Sequence, residues 1–530
     1  MATELGTPSK SAIWKHRKCL ILCCIVASAN MQSGFDSAAV GALQAMPGFL
    51  KVFGYEDPKS PMGYGIDSTV QRLISSLITV GSFVSSLAAG LFSSHFGRRH
   101  ALWLACTLNA AACAVMIAAT TPGVLYLGRL FLGFANGFFM TFSSIYAAEA
   151  APAEMRGLIV ALYAFFVNMG AILGSVIDNA TKSRMDKGSY QIPIAALFVV
   201  PTFLAVGLIW VPESPRWLLH RGKENQARRS LQILRGDALT LEEFELEWRE
   251  IVRGVEDEKR TAKSVGLLAM FRGVDLRRTL LCYATIASQA GTGLWFIAAY
   301  STYYFAIAGV SKPFEYSIMM TCLGFAASIC GMYALHTSVG RRPILIYGSL
   351  ACALFSLAPG IAHSVSPHTP ITANVVVAFT VLFMCAYNAS VSPASYVVAT
   401  ELVNSRLRAW TVGSATALGH ILAWLTSFTT PYFINPADLN WGPQYMYIWA
   451  ASNFIFVVFF YLFLPEMKNR SLEELDIIFE AKILAREFKE YKVDIIEING
   501  VNKREAGGET DKSRPMVTTV DKESFFRASI

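Results

Sequence analysis

The sequence predicts an all-α membrane protein of twelve transmembrane helices arranged as two six-helix bundles, and three observations predict it. The first is composition. Of 530 residues, 54% are hydrophobic and 16% charged, against about a quarter charged in ordinary soluble proteins, and the mean hydropathy is +0.42. The second is segregation: the windows 73–92, 101–120 and 454–464 hold no Asp, Glu, Lys or Arg, while charge gathers at 1–18, 213–279 and 466–530. The third is repetition. Gly97-Arg98-Arg99 returns as Gly340-Arg341-Arg342, Glu149 stands seven residues before Arg156 as Glu401 does before Arg408, and Pro212-Glu213 returns as Pro465-Glu466. Charges duplicated at fixed offsets in an apolar chain mark a membrane transporter built from two related halves.

An apolar run of about 20 residues crosses a bilayer. Twelve such runs are read, at 19–46, 73–92, 100–119, 123–147, 156–178, 191–211, 279–308, 315–337, 343–363, 371–399, 409–432 and 445–464. The chain therefore divides into a tail (1–18), a first bundle (19–211), a polar linker (212–278), a second bundle (279–464) and a terminal segment (465–530). The first run is too long for the core of a signal peptide and no small-residue cleavage site follows it, so it is expected to remain as the first span. Arg98, Arg99, Arg156, Arg341, Arg342, Arg406, Arg408 and the linker fall on one side, which the positive-inside rule places in the cytoplasm with both termini. Asn179-Ala-Thr181 is a glycosylation sequon on the opposite side. Within the linker, Thr240 and Glu243 form a capping box opening a helix over 241–255, and Ser471 with Glu474 repeats the device before 475–488. The stretch from about 500 to 530 is polar and expected to be disordered.

The net charge of +7 does not point to nucleic acid, because the basic residues fall in one alternating set of loops. Ten cysteines lie in or beside apolar runs without zinc-like pairing and read as small buried hydrophobes. No P-loop, metal cluster or nucleophile motif is present, so neither ATP-driven transport nor an enzyme is expected, and no cofactor or metal.

Several longer strings resemble a family. These are Gly128-Arg129 to Gly133, Tyr146 through Glu149 and Pro152 to Arg156-Gly157, Pro212-Glu213-Ser214-Pro215-Arg216-Trp217-Leu218, and Pro465 to Arg470 with Glu473-Glu474. Together they resemble the sugar porter family of the major facilitator superfamily over about residues 20–485. Gly34-Phe35-Asp36 and the tyrosines of 300–305 are most similar to fungal hexose and disaccharide permeases. The resemblance implies a plasma-membrane transporter working as a monomer by alternating access, with a small solute, a sugar, and protons as its partners. It also implies that Arg98, Arg99, Glu149, Arg156 and Glu213, and in the second half Arg341, Arg342, Glu401, Arg408 and Glu466, form ion pairs. Those pairs latch the cytoplasmic gate while the protein faces outward and part when it faces inward. The family's Asp and Arg before Gly-Arg-Arg are replaced by Ser94 and His95, and by Thr337 and Ser338.

Asp36 stands out on physical grounds, since a carboxylate inside an apolar segment is costly and is functional by default. In proton-coupled members that this chain resembles, an Arg at the position of Arg129 pairs with it, so protonation of Asp36 would release Arg129. Gln289 matches one substrate-binding glutamine of the family. The neighbouring positions depart from it: Ala164, Ala290, Trp295, Asn388 and Tyr396 stand where the family has other residues. His420 faces either this cavity or its own helix backbone. A sugar needs several placed hydrogen-bonding groups, so an exporter of a non-sugar metabolite stays open beside sugar uptake, as does a non-transporting sensor.

Overall fold

A computed structural model describes residues 14–58, 63–152, 155–236, 238–261, 267–337, 340–367, 369–404, 407–468, 470, 472–488 and 491. The expected disorder beyond residue 500 and the Ser471 cap lie outside these residues.

The first half comprises α1 (Arg17–Ala27), α2 (Met31–Leu43), α3 (Pro47–Phe53), α4 (Ser68–Phe96), α5 (Arg98–Ile117), α6 (Pro122–Ala150), α7 (Arg156–Thr181), α8 (Gly188–Ala196) and α9 (Val199–Gly207), with a two-residue hairpin of β1 (Tyr55–Glu56) and β2 (Tyr64–Gly65). The linker carries α10 (Pro215–His220), α11 (Glu224–Arg235) and α12 (Leu241–Thr261). The second half comprises α13 (Gly273–Gly291), α14 (Leu294–Ile307), α15 (Pro313–Thr337), α16 (Arg341–Val365), α17 (Pro370–Ala389), α18 (Val391–Leu402), α19 (Arg408–Ile434) and α20 (Met446–Phe463), followed by α21 (Leu472–Glu480).

The spans come out as α1–α2, α4, α5, α6, α7 and α8–α9 in one half, and α13–α14, α15, α16, α17–α18, α19 and α20 in the other. Eleven of them are long and apolar enough to cross a membrane on composition. The remaining one, α19, is 27 residues long, about 40 Å of helix. Its Ser, Thr and His residues dilute its hydropathy without shortening it. Local chemistry sets where helices start and break. Asp67 accepts from the amides of Thr69 and Val70 ahead of α4, and Thr369 accepts from that of Thr372 with Pro370 behind it, as capping requires. The seventh span breaks at Gly293, whose φ of 92° suits glycine. The tenth breaks at Ser390, three residues before a proline whose missing N–H cannot continue the helix.

Packing repeats between the halves. Spans 2 and 4, 3 and 4, and 1 and 5 pack together in the first half, and 8 and 10, 9 and 10, and 7 and 11 do so in the second. The halves meet along three seams, spans 1 with 7, 2 with 11, and 5 with 8. Adding six to each number turns the second seam into the third, which is what a pseudo-two-fold axis between duplicated bundles requires.

The linker is helical, as its capping box predicts. Thr240 N–H donates to Glu243 at 2.8 Å and Glu243 N–H returns to the Thr240 hydroxyl at 3.3 Å. Trp217, Leu218, Leu231, Phe244, Trp248 and Ile251 close a small core of their own. Arg235 bolts that core to the first bundle, donating to the last carbonyl of α6 at Ala150 (2.9 Å) and to Glu247 (2.6 Å).

Candidate functional site

Asp36 points inward, not to lipid. Its carboxylate accepts from Arg129 Nη1 at 2.6 Å, with side-chain exposures of 2% and 3%. Arg129 Nε is also spent, on the Ile74 carbonyl at 2.8 Å. Three glycines let α7 lie against α2 to place this pair: a Cβ on Gly34, Gly170 or Gly174 would meet backbone across the seam at 1.8, 2.0 and 2.8 Å. The pair lines a cavity between the halves, to which α14 contributes Trp295 and Ala299 and α19 contributes Ser427. A buried ion pair of this kind gains attraction only by giving up hydration of both charges, so a change in protonation or pairing shifts its balance strongly.

The other substrate candidates divide. Trp295 shares the cavity of Asp36 and Arg129. Gln289 donates to Ser395 Oγ at 2.5 Å, tying the seventh span to the tenth. Asn388 is buried and donates to the Met384 carbonyl one turn back (3.1 Å), with Gly324 of α15 packed against its amide. It therefore serves the contact between spans 8 and 10. The ring of His420 bonds the Thr416 carbonyl at 2.9 Å, its own helix rather than the cavity. Tyr396 is half exposed on α18.

The duplicated charges assemble twice into one motif. Arg98 grips Glu149 through two bonds of 3.0 and 2.7 Å, and Arg341 grips Glu401 at 3.3 and 3.2 Å. Glu213 accepts the amides of Arg98 and Arg99, and Glu466 those of Arg341 and Arg342, so each carboxylate caps a helix more than a hundred residues away. A Cβ on Gly97 or Gly340 would stand 2.4 or 2.1 Å from that carboxylate, which explains the glycine of each triplet. Ser214 adds a hydrogen bond to Glu149.

Each cluster joins spans of one half with the segment following that half's last span, so in this structure its ion pairs lie inside one half. Arg408 does not complete the second cluster: its Nε and Nη2 are buried without a hydrogen-bond partner. The side chain of Arg156 and all of Arg406 lie outside the described residues.

Asn179 lies in the last turn of α7, and the Thr181 hydroxyl of its sequon is bonded back to the Ile177 carbonyl at 3.1 Å. The sequence reading passed over a buried polar set beside Asp36: Gln32 with Asn109 (2.9 Å), Asn30 with Ser143 (2.9 Å) and Gln44 with Ser75 (3.0 Å). Gln32 precedes Asp36 by one helical turn, a spacing that was available to find it. It also passed over Asp178, whose two carboxylate oxygens are buried without a hydrogen-bond partner. All ten cysteines are free.

A family model described as "Sugar (and other) transporter" matches residues 22–479. The chain is 29% identical to "Major facilitator-type transporter ecdD" of Aspergillus rugulosus over 85% of each chain. It is 29% identical to "High glucose sensor RGT2" of Saccharomyces cerevisiae over 86% of this chain and 60% of that one. It is 26% identical to the "General alpha-glucoside permease" of the same yeast over 93% and 80%. Among solved structures, the inward open conformation of the xylose transporter XylE from E. coli aligns with a TM-score of 0.68 at 19% identity, over 87% of this chain and 99% of that one.

Proposed function

The chain belongs to the sugar (and other) transporter family of the major facilitator superfamily, and from that premise we propose that it imports a hexose or disaccharide together with protons across the plasma membrane by alternating access. On this reading the linker end, with both termini, is cytoplasmic. The observation that carries the proposal is the Asp36–Arg129 pair, buried, 2.6 Å apart and facing a cavity walled by both halves. A proton delivered to Asp36 removes its charge and frees the Arg129 guanidinium, whose remaining bond is to the Ile74 carbonyl. Loss of that pairing is an event to which rocking of one bundle against the other can be coupled. The solute would sit near the midplane beside Trp295, an aromatic face suited to a sugar ring. Gln289 and Tyr396 of the second half, which do not line the Asp36 cavity in this structure, would reach the solute only after the halves move. Sugar permeases among the relatives support the substrate class, though one relative is named a sensor.

Purified protein in liposomes, given an inward proton gradient and a panel of hexoses and maltose, tests this. Sugar accumulation with matching proton entry is expected. Sugar uptake without proton movement would remove the coupling and leave the substrate class.

A second reading, export of a less hydroxylated metabolite, is favoured by one observation. The amides of Gln289 and Asn388 and the ring of His420 are already bonded within the protein, leaving few polar groups for a hydroxyl-rich ligand. Absent sugar uptake, with secretion of a small aromatic compound, would select it.

A further inference from the structure

Among the described residues, polar contacts join the two halves on two seams at the end of the molecule away from the linker. On the seam of spans 5 and 8, Lys182 Nζ of the first half lies 2.6 Å from Glu315 Oε1 of the second. The same ammonium donates to Asn179 Oδ1 at 2.8 Å and stands over the ring of Phe314, 5.7 Å from its centre. On the seam of spans 2 and 11, Asn435 is buried and its amide donates to the Ile66 carbonyl (2.8 Å) and to Gln71 Oε1 (3.2 Å). Arg72 lies over Phe428 beside it, 5.7 Å away. These are the two seams that the pseudo-two-fold axis interchanges, and they flank the seam of spans 1 and 7.

We propose that Lys182, Glu315 and Asn435 are positioning residues of an outer door, a two-point lock that holds the two halves together on the far side and biases the protein toward facing the cytoplasm. The proposal rests on the alternating access proposed above, but on neither the identity of the solute nor the use of protons. Lys182 caps the C-terminal end of α7 and Glu315 sits in the first turn of α15. Each charge therefore complements the helix end that carries it, whether the door is shut or open. What changes on opening is the bond between them. Glu315 is 42% exposed and Lys182 27%, so this bond is screened by salt, whereas the buried amide of Asn435 is not. Asn179 serves the door by fixing the lysine, a use for its side chain that glycosylation would compete with.

The test is labelling of Ser427→Cys, which lines the cavity between the halves, by a membrane-impermeant thiol reagent applied from outside; the parent chain, with its native cysteines, serves as background. Lys182→Met and Glu315→Gln should each raise the labelling rate about threefold to fivefold, the range of a partly exposed ion pair. The double variant should exceed neither single one. Asn435→Ala should add a further increase of about tenfold, the worth of a buried hydrogen bond. High salt should speed labelling of the parent and leave the Lys182→Met variant unchanged. Lys182→Glu with Glu315→Lys should restore the parental rate, and it also decides the matter if the single variants fail to reach the membrane. Unchanged labelling in the single variants, additivity in the double one, or a swapped pair as fast as the singles would overturn the lock. None of these readings needs sugar or a proton gradient, so the lock can fail while the transport proposal stands, and the reverse.

Discussion

At the scale of single residues, the cost of burying charge dominates. Asp36 was legible in the sequence because an acid inside an apolar run demands a partner. That the partner is Arg129, at 2.6 Å, took a resemblance to suggest and a tertiary contact to establish, since 93 residues separate them. Asp36→Asn should abolish accumulation against a gradient while leaving solute exchange, as measured by counterflow; accumulation at the parental level would remove Asp36 from the coupling. Gln289 poses a milder problem. Its bond to Ser395 must be exchanged for one to solute if it binds sugar. Gln289→Ala should then raise the apparent KM about tenfold, near 1.4 kcal/mol, and Ser395→Ala should lower it by freeing the amide. A KM that moves in neither variant assigns the pair to packing of spans 7 and 10. Asn388 was named from position alone, and position does not reveal that a carbonyl one turn back has already taken its side chain; for His420 the sequence had left the same use of its own helix backbone open, and the structure shows it.

At the scale of elements, helix ends carry the chemistry. Gly97 and Gly340 look alike in sequence, yet Gly97 has φ 86° and Gly340 φ −68°. Alanine at either would push a capping carboxylate aside, and at position 97 it would also carry backbone strain of about 1–3 kcal/mol, because φ 86° with ψ 176° is a glycine region. Gly97→Ala should therefore lower the melting temperature in detergent more than Gly340→Ala; equal losses would show that the cap alone matters. In the linker, the Thr240 amide, followed by the Lys15 ammonium, holds the Glu243 carboxyl below its ordinary range. A depressed pKa contributes stability above the unfolded value, near 4.3, that is lost as pH falls through the folded one. Protection of the first-turn amides of α12 against hydrogen exchange, taken relative to their intrinsic rate at each pH, should accordingly fall below about pH 4, and unchanged protection would deny the cap any role. The capping box was readable because its partners are three residues apart. Breaks in the seventh and tenth spans were not, since a proline in an apolar run does not by itself mark a break: Pro359 and Pro431 lie inside continuous helices.

At the scale of the whole molecule, duplication is the governing fact. Arg98–Glu149–Glu213 and Arg341–Glu401–Glu466 are one motif made twice, and each lies inside its own half. Glu149→Gln and Glu401→Gln should both reduce thermal stability, the first more because its ion pair is shorter and less exposed. Neither should change labelling of the cavity from outside. A large change in that labelling would show these charges acting as a latch between the halves. The pairs were visible in the sequence as a pattern, but a pattern of charges does not tell whether partners belong to one rigid body or to two.

The apolar runs, their number and the repeated punctuation came from the chain alone, because membrane thickness and the cost of unpaired backbone leave a span of about 20 apolar residues few alternatives to a helix. Which helices touch, which amides are already bonded, and where the halves meet were settled by folding. Those features depend on side chains brought together from hundreds of residues apart, whose separation no local rule encodes.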